Sequence, residues 1–256
     1  MSRIRVLPVY PKFPMTFWGF QESLKYIGRK ASMPPTGLAT VLAMMSEDKF
    51  EMRKVVDMNV KPLTDGDIED ADLVLTSTMI VQKRSHDEVV ERAHRLGKKV
   101  VAGGPFVTTY PEKTEADYIV TGEAEVTLGP FLEDLLNGTQ RRIWTENDVK
   151  GRGVVQLTRG GKTEITSTPV PRWDLVDLSN YSSAAIQYSR GCPFDCDFYD
   201  ITKLFGKESR TKTPQQMTAE LDALYESGHR GSVFIVDDNF IGNSSKVREL
   251  LPHLIE

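Results

Sequence analysis

The two cysteines of this chain lie four positions apart, and their type and spacing suggest chemistry more clearly than any other residues do. Cys192 and Cys196 follow Gly191 and enclose Pro193, which predicts a tight loop. This loop comes directly after a strand-like run at residues 184–188. Thiolates are soft ligands that suit iron–sulfur clusters and other metals. From the residues alone, the pair could be cluster or metal ligands, a disulfide, or two ordinary thiols.

Composition and charge exclude several classes of protein. The 256-residue chain is 39% hydrophobic and 27% charged, which is ordinary for a globular protein with a core. Its net charge of −4 and pI of about 5.7 give no electrostatic reason to expect nucleic acid as a partner. No apolar run is long enough for a membrane span, residues 1–5 do not begin a signal peptide, and two cysteines do not make a disulfide scaffold. We therefore expect a cytoplasmic, reducing location.

Short apolar runs alternate with helical patterns through residues 1–138, the first predicted domain. Strands are predicted at residues 3–8, 50–58, 72–78, 98–102 and 117–121, and helices at residues 36–45, 85–96 and 125–136. This alternation is typical of parallel βαβ units, and it predicts an α/β domain with a doubly wound, Rossmann-like sheet. His86 and His94 fall on the second of these helices, and we expect them to be solvated at its surface.

Small, hydroxyl-bearing and acidic residues stand where three of these strands end: Ser77, Thr78, Gly103, Gly104, Pro105, Gly122 and Glu123. Parallel sheets bind ligands at the carboxyl ends of their strands, where glycine allows close approach to the backbone and hydroxyls offer hydrogen bonds. A ligand site is therefore predicted, although plain turn glycines explain the pattern equally well. A G-x-G-x-x-G motif and a phosphate-loop lysine are both missing, which argues against dinucleotides and nucleoside triphosphates.

Two further segments of the chain are irregular in pattern. Residues 9–33 are aromatic and basic, and we expect them to pack as a cap over a pocket rather than to grip nucleic acid. Residues 139–180 are polar and turn-rich, which predicts a linker between domains. Within this linker, residues 154–157 and 162–166 predict a β-hairpin.

Residues 181–256 form the second predicted domain. After the cysteine loop, the pattern predicts a helix at residues 213–227, a strand at 232–236 and a last helix at 244–255. The strand is followed by an acidic turn of Asp237, Asp238 and Asn239.

Residues 1–138 resemble the cobalamin-binding domain that precedes many radical S-adenosylmethionine (SAM) enzymes. The resemblance rests on strand order, on the small residues at the strand ends, and on the amino-acid sequence of residues 100–105 and 117–125. In that fold the strand ends receive the nucleotide tail of the corrinoid, so cobalamin is implied as a cofactor. The D-x-H-x-x-G motif that supplies an axial histidine in methionine synthase-like proteins is absent after the first strand. Cobalamin is therefore expected without a protein imidazole on cobalt.

The cysteine loop resembles the C-x3-C-x2-C cluster loop of radical SAM enzymes, in which an aromatic residue precedes the last cysteine. Cys192, Cys196 and Phe198 match this pattern, and Tyr199 stands at the position of the third cysteine. The resemblance implies that the two cysteines bind a 4Fe-4S cluster and that Phe198 lies beside the adenine of SAM. Tyr199 makes a poorer ligand than cysteine, because a phenol is harder than a thiolate and has a pKa of about 10.

Four segments are similar in sequence to hopanoid C-2 methylases and related radical SAM methyltransferases: residues 17–18, 28–38, 188–194 and 234–243. This resemblance implies that residues 181–256 are the first two βα units of a partial TIM barrel. It also implies that Asp237, Asp238 and Asn239 lie close to polar groups of SAM, although the turn could instead cap the final helix.

The chemistry implied by the resemblance is methyl transfer to an unactivated carbon of a small molecule or of a lipid such as a hopanoid. SAM is cleaved to a 5′-deoxyadenosyl radical, methylcobalamin delivers the methyl group, and a reductant such as flavodoxin or ferredoxin supplies electrons. Two features oppose activity in this chain: Tyr199, and the lack of about four of the barrel's βα units. The alternative is a non-catalytic corrinoid-binding or interaction module that has lost its cluster.

Overall fold

The predicted alternation of strands and helices is present in a computed structural model, which describes residues 3–149, 162–194, 196 and 201–255. The strands are β1 (Ile4–Tyr10), β2 (Phe50–Met52), β3 (Val56–Asp57), β4 (Leu73–Ser77), β5 (Lys99–Gly103), β6 (Tyr118–Val120), β7 (Ile143–Trp144), β8 (Ser183–Ile186), β9 (Ser189–Arg190), β10 (Arg210–Thr211) and β11 (Ser232–Ile235). The helices are α1 (Gln21–Tyr26), α2 (Thr36–Ala43), α3 (Asp65–Glu69), α4 (Lys83–Arg95), α5 (Pro105–Thr109), α6 (Ala124–Asn137), α7 (Ile201–Phe205), α8 (Pro214–Glu226) and α9 (Ser244–Ile255).

Strands β1 to β7 form one parallel sheet. Its order is β2-β1-β4-β5-β6-β7, and β3 also pairs with β1 on the same side as β2. The chain therefore moves to one side of β1 first and then to the other, so that the strand order reverses between β1 and β4. Doubly wound sheets bind ligands beyond the carboxyl ends of their strands at such a reversal.

Helices cover both faces of this sheet. Ile68 of α3, Val89 of α4 and Phe106 of α5 belong to the core on one face. Leu38 of α2 and Phe131 of α6 belong to the core on the other face. The strands supply both cores because successive side chains of a strand point to opposite faces. The predicted doubly wound α/β sheet is therefore confirmed.

Two strands of the first unit differ from the predictions. The single strand predicted at residues 50–58 is divided into β2 and β3, because the chain between them turns toward another segment. There, the Val55 amide donates to the carbonyl of Leu175 at 2.9 Å.

Beyond residue 138, β7 pairs with β6 and extends the sheet by one short strand. The domain boundary at residue 138 stays a prediction.

The part of the predicted hairpin that the structure describes is not a strand. Ile165–Ser167 forms a turn of 3-10 helix, and residues 154–157 lie outside the described residues. The side-chain amide of Gln216 donates to the carbonyls of Ile165 and Thr166 at 3.4 and 3.0 Å. A tertiary contact thus binds two carbonyls of the segment that was predicted to pair in a hairpin.

The second unit is built on a parallel pair of strands. β8 and β11 pair in register from Ser183 with Ser232 to Ile186 with Ile235. Helix α8 lies between them in the chain and is capped by Thr213, whose hydroxyl accepts a hydrogen bond from the amide of Gln216 at 3.1 Å. The two predicted βα units are confirmed, and the structure adds an antiparallel pair of short strands, β9 and β10.

The two units share buried contacts. Ala39 of α2 belongs to the core of the second unit, together with Trp173 and Ile186. The hydroxyl of Tyr181 donates to Oδ2 of the buried Asp57 at 2.8 Å, which joins the start of the second unit to β3.

The aromatic segment at residues 9–33 does not pack as the predicted cap. Phe17 is 80% exposed and Tyr26 is 92% exposed. Helix α1 has six residues and buries Leu24 alone, so it offers too little apolar surface to hold the neighbouring rings. None of the helices in the described residues is long and apolar enough to cross a membrane.

Candidate cofactor site

A cavity of about 50 Å³ lies at the carboxyl ends of the central strands, between the sheet and helices α2 and α6. Four of the predicted site residues line it: Ser77, Gly103, Gly104 and Gly122. Apolar and small side chains complete its wall: Leu38, Val41, Leu75, Thr76, Val101, Val120, Ala124, Thr127 and Leu128. The structure thus brings the three predicted strand ends together around one apolar space.

Gly104 shapes the turn at the edge of this cavity. Its φ of +94° lies in the left-handed region that glycine adopts most readily. A Cβ at this position would lie 2.8 Å from the amide nitrogen of Thr78 and 3.0 Å from Oγ of Ser77. The glycine therefore lets the β5–α5 turn approach the end of β4 closely, which leaves backbone rather than side chain at the cavity wall.

Thr78 and Pro105 stand behind the cavity rather than on its wall. The Thr78 amide donates to the carbonyl of Gly103 at 3.1 Å, and its carbonyl accepts from the amide of Phe106 at 2.9 Å. Pro105 is the first residue of α5, where its missing N–H costs no helical hydrogen bond. Both residues hold neighbouring strand ends in place.

His86 is buried, so the prediction that it is solvated was wrong. Its ring is fully enclosed, with Nε2 2.8 Å from the Thr114 hydroxyl and Nδ1 3.3 and 3.4 Å from the hydroxyls of Thr78 and Thr76. Burial lowers the pKa of His86 to about 4, so the ring is neutral at pH 7. The helical spacing from His86 to the buried Val89 was the signal that could have predicted this.

Glu123 carries its carboxylate into an ion-pair network instead of the cavity. Its Oε2 accepts from Nη1 of Arg210 at 2.9 Å, and its Oε1 lies 3.4 Å from Nη1 of Arg190. Two residues on, Oε1 of Glu125 lies 2.8 Å from Nη2 of Arg190. Burial opposes ionisation of Glu125, but the adjacent Arg190 outweighs it and lowers the pKa of Glu125. The spacing of residues in the sequence did not indicate that Arg190 and Arg210 would pair with these carboxylates.

The cysteine loop leaves β9 at Gly191, and its two thiols differ in exposure. Cys192 is buried and Cys196 is exposed, and both are free thiols. The Cys192 amide donates to the carbonyl of Gly206 at 3.2 Å. Its Sγ is 3.5 Å from Nδ2 of Asn239. The structure therefore places the first cysteine beside the predicted acidic turn.

The acidic turn after β11 contacts the start of the cysteine loop through Asp237. Its Oδ1 accepts from the Tyr188 amide at 2.7 Å, and its Oδ2 accepts from the Ser189 hydroxyl at 2.6 Å. Burial raises the pKa of Asp237, and these hydrogen bonds offset part of the shift. Asp238 and Asn239 follow, both partly buried. The turn is thus joined to the cysteine loop at the carboxyl ends of β8 and β11.

Of the three predicted cluster-site positions, the structure describes Cys192 and Cys196. Tyr199 lies outside the described residues, and so does Phe198. Within the part of the chain that the structure describes, no group of three or more His, Cys, Asp or Glu side chains could hold a metal ion. Because the whole sequence contains two cysteines, the residues present do not fit a site made of three thiolates.

A larger groove of about 1140 Å³ lies elsewhere, between residues 54–61, 171–182 and 223–231. None of the predicted site residues lines it. It borders the amino ends of β8 and β11, opposite the cysteine loop, so its size alone does not connect it with the predicted chemistry.

Comparison with known proteins relates the region around the cavity to a known binding domain. Residues 27–131 match the B12 binding domain. The chain is 42% identical to an uncharacterized methyltransferase of Synechocystis sp. and 37% identical to the hopanoid C-2 methylase of Rhodopseudomonas palustris, each over 98% of its length. The chain is a homologue of these methyltransferases. All residues that line the strand-end cavity lie inside the B12 binding match.

A solved structure shows that the fold is shared as well. The radical SAM methyltransferase TsrM from Kitasatospora setae, with cobalamin and a 4Fe-4S cluster bound, aligns with a TM-score of 0.66 over 99% of this chain and 51% of its own. At 17% identity, this likeness concerns the fold alone. This homologue of the methyltransferases spans about half the length of the curated relatives it matches, 45% and 46% of the two named above.

Proposed function

We propose that this chain is the corrinoid-binding part of a radical SAM methyltransferase that acts on an unactivated carbon of a small molecule or of a lipid such as a hopanoid. One observation supports this most strongly: the strand-end cavity lies wholly within the residues that match the B12 binding domain. The hopanoid C-2 methylase among the relatives supports the substrate class. A cytoplasmic location and a reductant such as flavodoxin or ferredoxin belong to the same proposal.

The chemistry of the cavity wall suits the nucleotide tail of a corrinoid. Its wall is apolar apart from hydroxyls and backbone, which suits a flat aromatic base. The present volume corresponds to one or two water molecules at roughly 30 Å³ each, so side chains of α2 or α6 must move for the base to enter. Ser77, Thr78, Gly103, Gly104, Pro105, Gly122 and Glu123 are the residues we assign to this site or its support.

For SAM, the proposal assigns Phe198 and the turn of Asp237, Asp238 and Asn239. Bound cobalamin and SAM supply the methyl carrier and the radical source, and the protein supplies binding, orientation and exclusion of water. Cys192 and Cys196, with Tyr199 at the third position, would face a cluster. Because these residues do not fit a three-thiolate site, we assign no reaction step to a cluster in this chain.

The second candidate function is a corrinoid-binding module without a cluster. The observation that favours it is the tyrosine at position 199 in a chain with two cysteines. Anaerobic reconstitution, followed by iron and sulfide analysis and electron paramagnetic resonance, separates the candidates. A stoichiometric signal that SAM perturbs supports the methyltransferase, and cobalamin binding without a cluster supports the second candidate.

Titration with hydroxocobalamin tests the site itself. Gly103 lines the cavity and its added Cβ would make only ordinary contacts, the nearest at 3.7 Å from the Val120 carbonyl. We therefore expect Gly103→Leu to fold, to fill the cavity and to weaken binding at least tenfold. The matched control is Gly129→Leu, on an exposed position of α6 with open space around it. Equal affinities for wild type and Gly103→Leu would show that the corrinoid does not use this cavity.

A further inference from the structure

Six charged side chains are buried together where the two units meet: Glu123, Glu125, Arg190, Arg210, Lys212 and Glu220. They are between 1% and 13% exposed. Three carboxylates face three cations, so the group is balanced in charge. Side chains of this kind are almost never buried unless they are paired.

The pairs at the junction join different units. Glu123 and Glu125 stand at the amino end of α6, in the first unit, directly after the cavity residue Gly122. Their partners Arg190 and Arg210 stand on β9 and β10, in the second unit. The remaining pair, Lys212 with Glu220, lies within the second unit. We call the first four residues the junction clamp.

Arg210 also holds the segment that binds the backbone of the first cysteine. Its Nη2 donates to the carbonyl of Phe205 at 2.9 Å. The next residue along, Gly206, accepts the hydrogen bond from the Cys192 amide. One guanidinium therefore links Glu123, which follows Gly122 of the strand-end cavity, to the segment that binds the Cys192 amide.

The energetics of buried ion pairs suggest what such a group contributes. Desolvation of both partners offsets much of their attraction, and apolar pairs of similar volume often replace them at no cost in stability. Removal of one partner alone is strongly destabilising, because the other charge stays buried and unpaired. A buried pair is thus weak evidence for stability, and a role in orienting the elements that carry it has to be tested in each protein.

We propose that the junction clamp consists of positioning residues that hold the cysteine loop at a fixed place relative to the strand-end cavity. The clamp attaches residues 205–210, which bind the Cys192 amide, to Glu123 beyond the end of β6, and the burial of Cys192 depends on this attachment. The use of this placement in catalysis rests on the proposed function, whereas the placement itself does not.

Thiol alkylation of the full chain tests the clamp without any cofactor. In the wild type we expect iodoacetamide to modify buried Cys192 at least tenfold more slowly than exposed Cys196, as measured by mass spectrometry. The double variant Glu123→Leu with Arg210→Met leaves the Arg190–Glu125 pair intact. It should raise the Cys192 rate at least fivefold while its thermal midpoint stays near the wild-type value.

The matched control removes the other buried pair, with Lys212→Met and Glu220→Leu. Because that pair lies within one unit, Cys192 should stay protected. If the junction double variant does not fold, Arg210→Lys replaces it: an ammonium keeps the charge but cannot hold both Glu123 and the Phe205 carbonyl as a planar fork does. Its Cys192 rate should also rise.

Protection of Cys192 at the wild-type level in a folded junction variant would overturn the proposal. An equal rise in the control variant would overturn it as well, since the effect would then belong to any lost buried pair. Hydroxocobalamin titration of the wild type runs in parallel. If hydroxocobalamin does not bind, the proposed function is contradicted, but the conclusion from the alkylation rates is not affected.

Discussion

The imidazole of His86 is enclosed by three threonine hydroxyls and by the edge of the Phe106 ring, whose centroid is 5.9 Å away. The same residue type at the surface of a helix would be solvated and would titrate near pH 6.5. Burial rather than residue type thus decides its charge. The thiols give a second case, because Cys192 and Cys196 share one short loop and differ in exposure.

We expect His86 to make stability depend on pH between about 6.5 and 4. In this window His86 is protonated in the unfolded chain but not in the folded chain, because the pKa of His86 in the folded chain is about 4. Stability should therefore fall as the pH falls, by at most about 3.4 kcal/mol at 1.36 kcal/mol per pKa unit. Urea unfolding at several pH values measures it.

The variant His86→Gln removes this titration and should flatten the pH dependence between 6.5 and 4. His253→Gln, on an exposed position of α9, is the control and should keep the wild-type slope. The same slope in His86→Gln as in the wild type would contradict the assignment.

At the scale of elements, the close approach of loops decides the local geometry around the cysteines. Strands β9 and β10 pair over two residues each, so their own hydrogen bonds contribute little. Gly191 has a φ of +86°, and a Cβ there would lie 2.2 Å from the carbonyl oxygen of Glu208. The loop after β9 therefore packs directly against the segment before β10, backbone on backbone.

Gly191→Ala should destabilise the chain by about 2 kcal/mol more than Gly228→Ala does. Gly228 has nearly the same φ, +85°, but nothing lies within 4 Å of an added Cβ. The control thus reports the cost of a left-handed alanine, about 1 to 2 kcal/mol. The difference reports the overlap with Glu208. Equal urea midpoints for the two variants would mean that the loop relaxes freely.

At the scale of the whole molecule, the two units are joined by apolar packing as well as by charge. Ala39 of α2 belongs to the second unit's core, and Leu175, which precedes β8, belongs to a core of the first. The hydrogen bond from Tyr181 to Asp57 lies in the same boundary. Such shared burial predicts that neither unit unfolds alone.

Two buried tryptophans allow this cooperativity to be measured. Trp144 belongs to a core of the first unit and Trp173 to the core of the second. In a Trp18→Phe background, the further variants Trp144→Phe and Trp173→Phe each leave one reporter. We expect the fluorescence midpoint in urea to coincide with the far-ultraviolet circular dichroism midpoint in both. Hydroxocobalamin should raise both midpoints together. Separate midpoints for the two reporters would show that the units unfold independently.

The order of strands and helices could be predicted from the sequence, because periodicity and turn residues are local signals. For the same reason, the sequence predicted that Gly103 and Gly122 stand at the ends of strands. The count of cysteines, which limits any cluster site, is likewise a property of the sequence.

Only the tertiary structure decided which side chains meet. Glu123 is 67 residues from Arg190 and 87 from Arg210, so no local pattern could pair them. The division of the strand at residues 50–58 depends on a hydrogen bond to Leu175, far along the chain. Burial of His86 depends on Thr114 from another loop. Each of these outcomes requires packing between distant segments, and the free energy that decides them is absent from any single stretch of the chain.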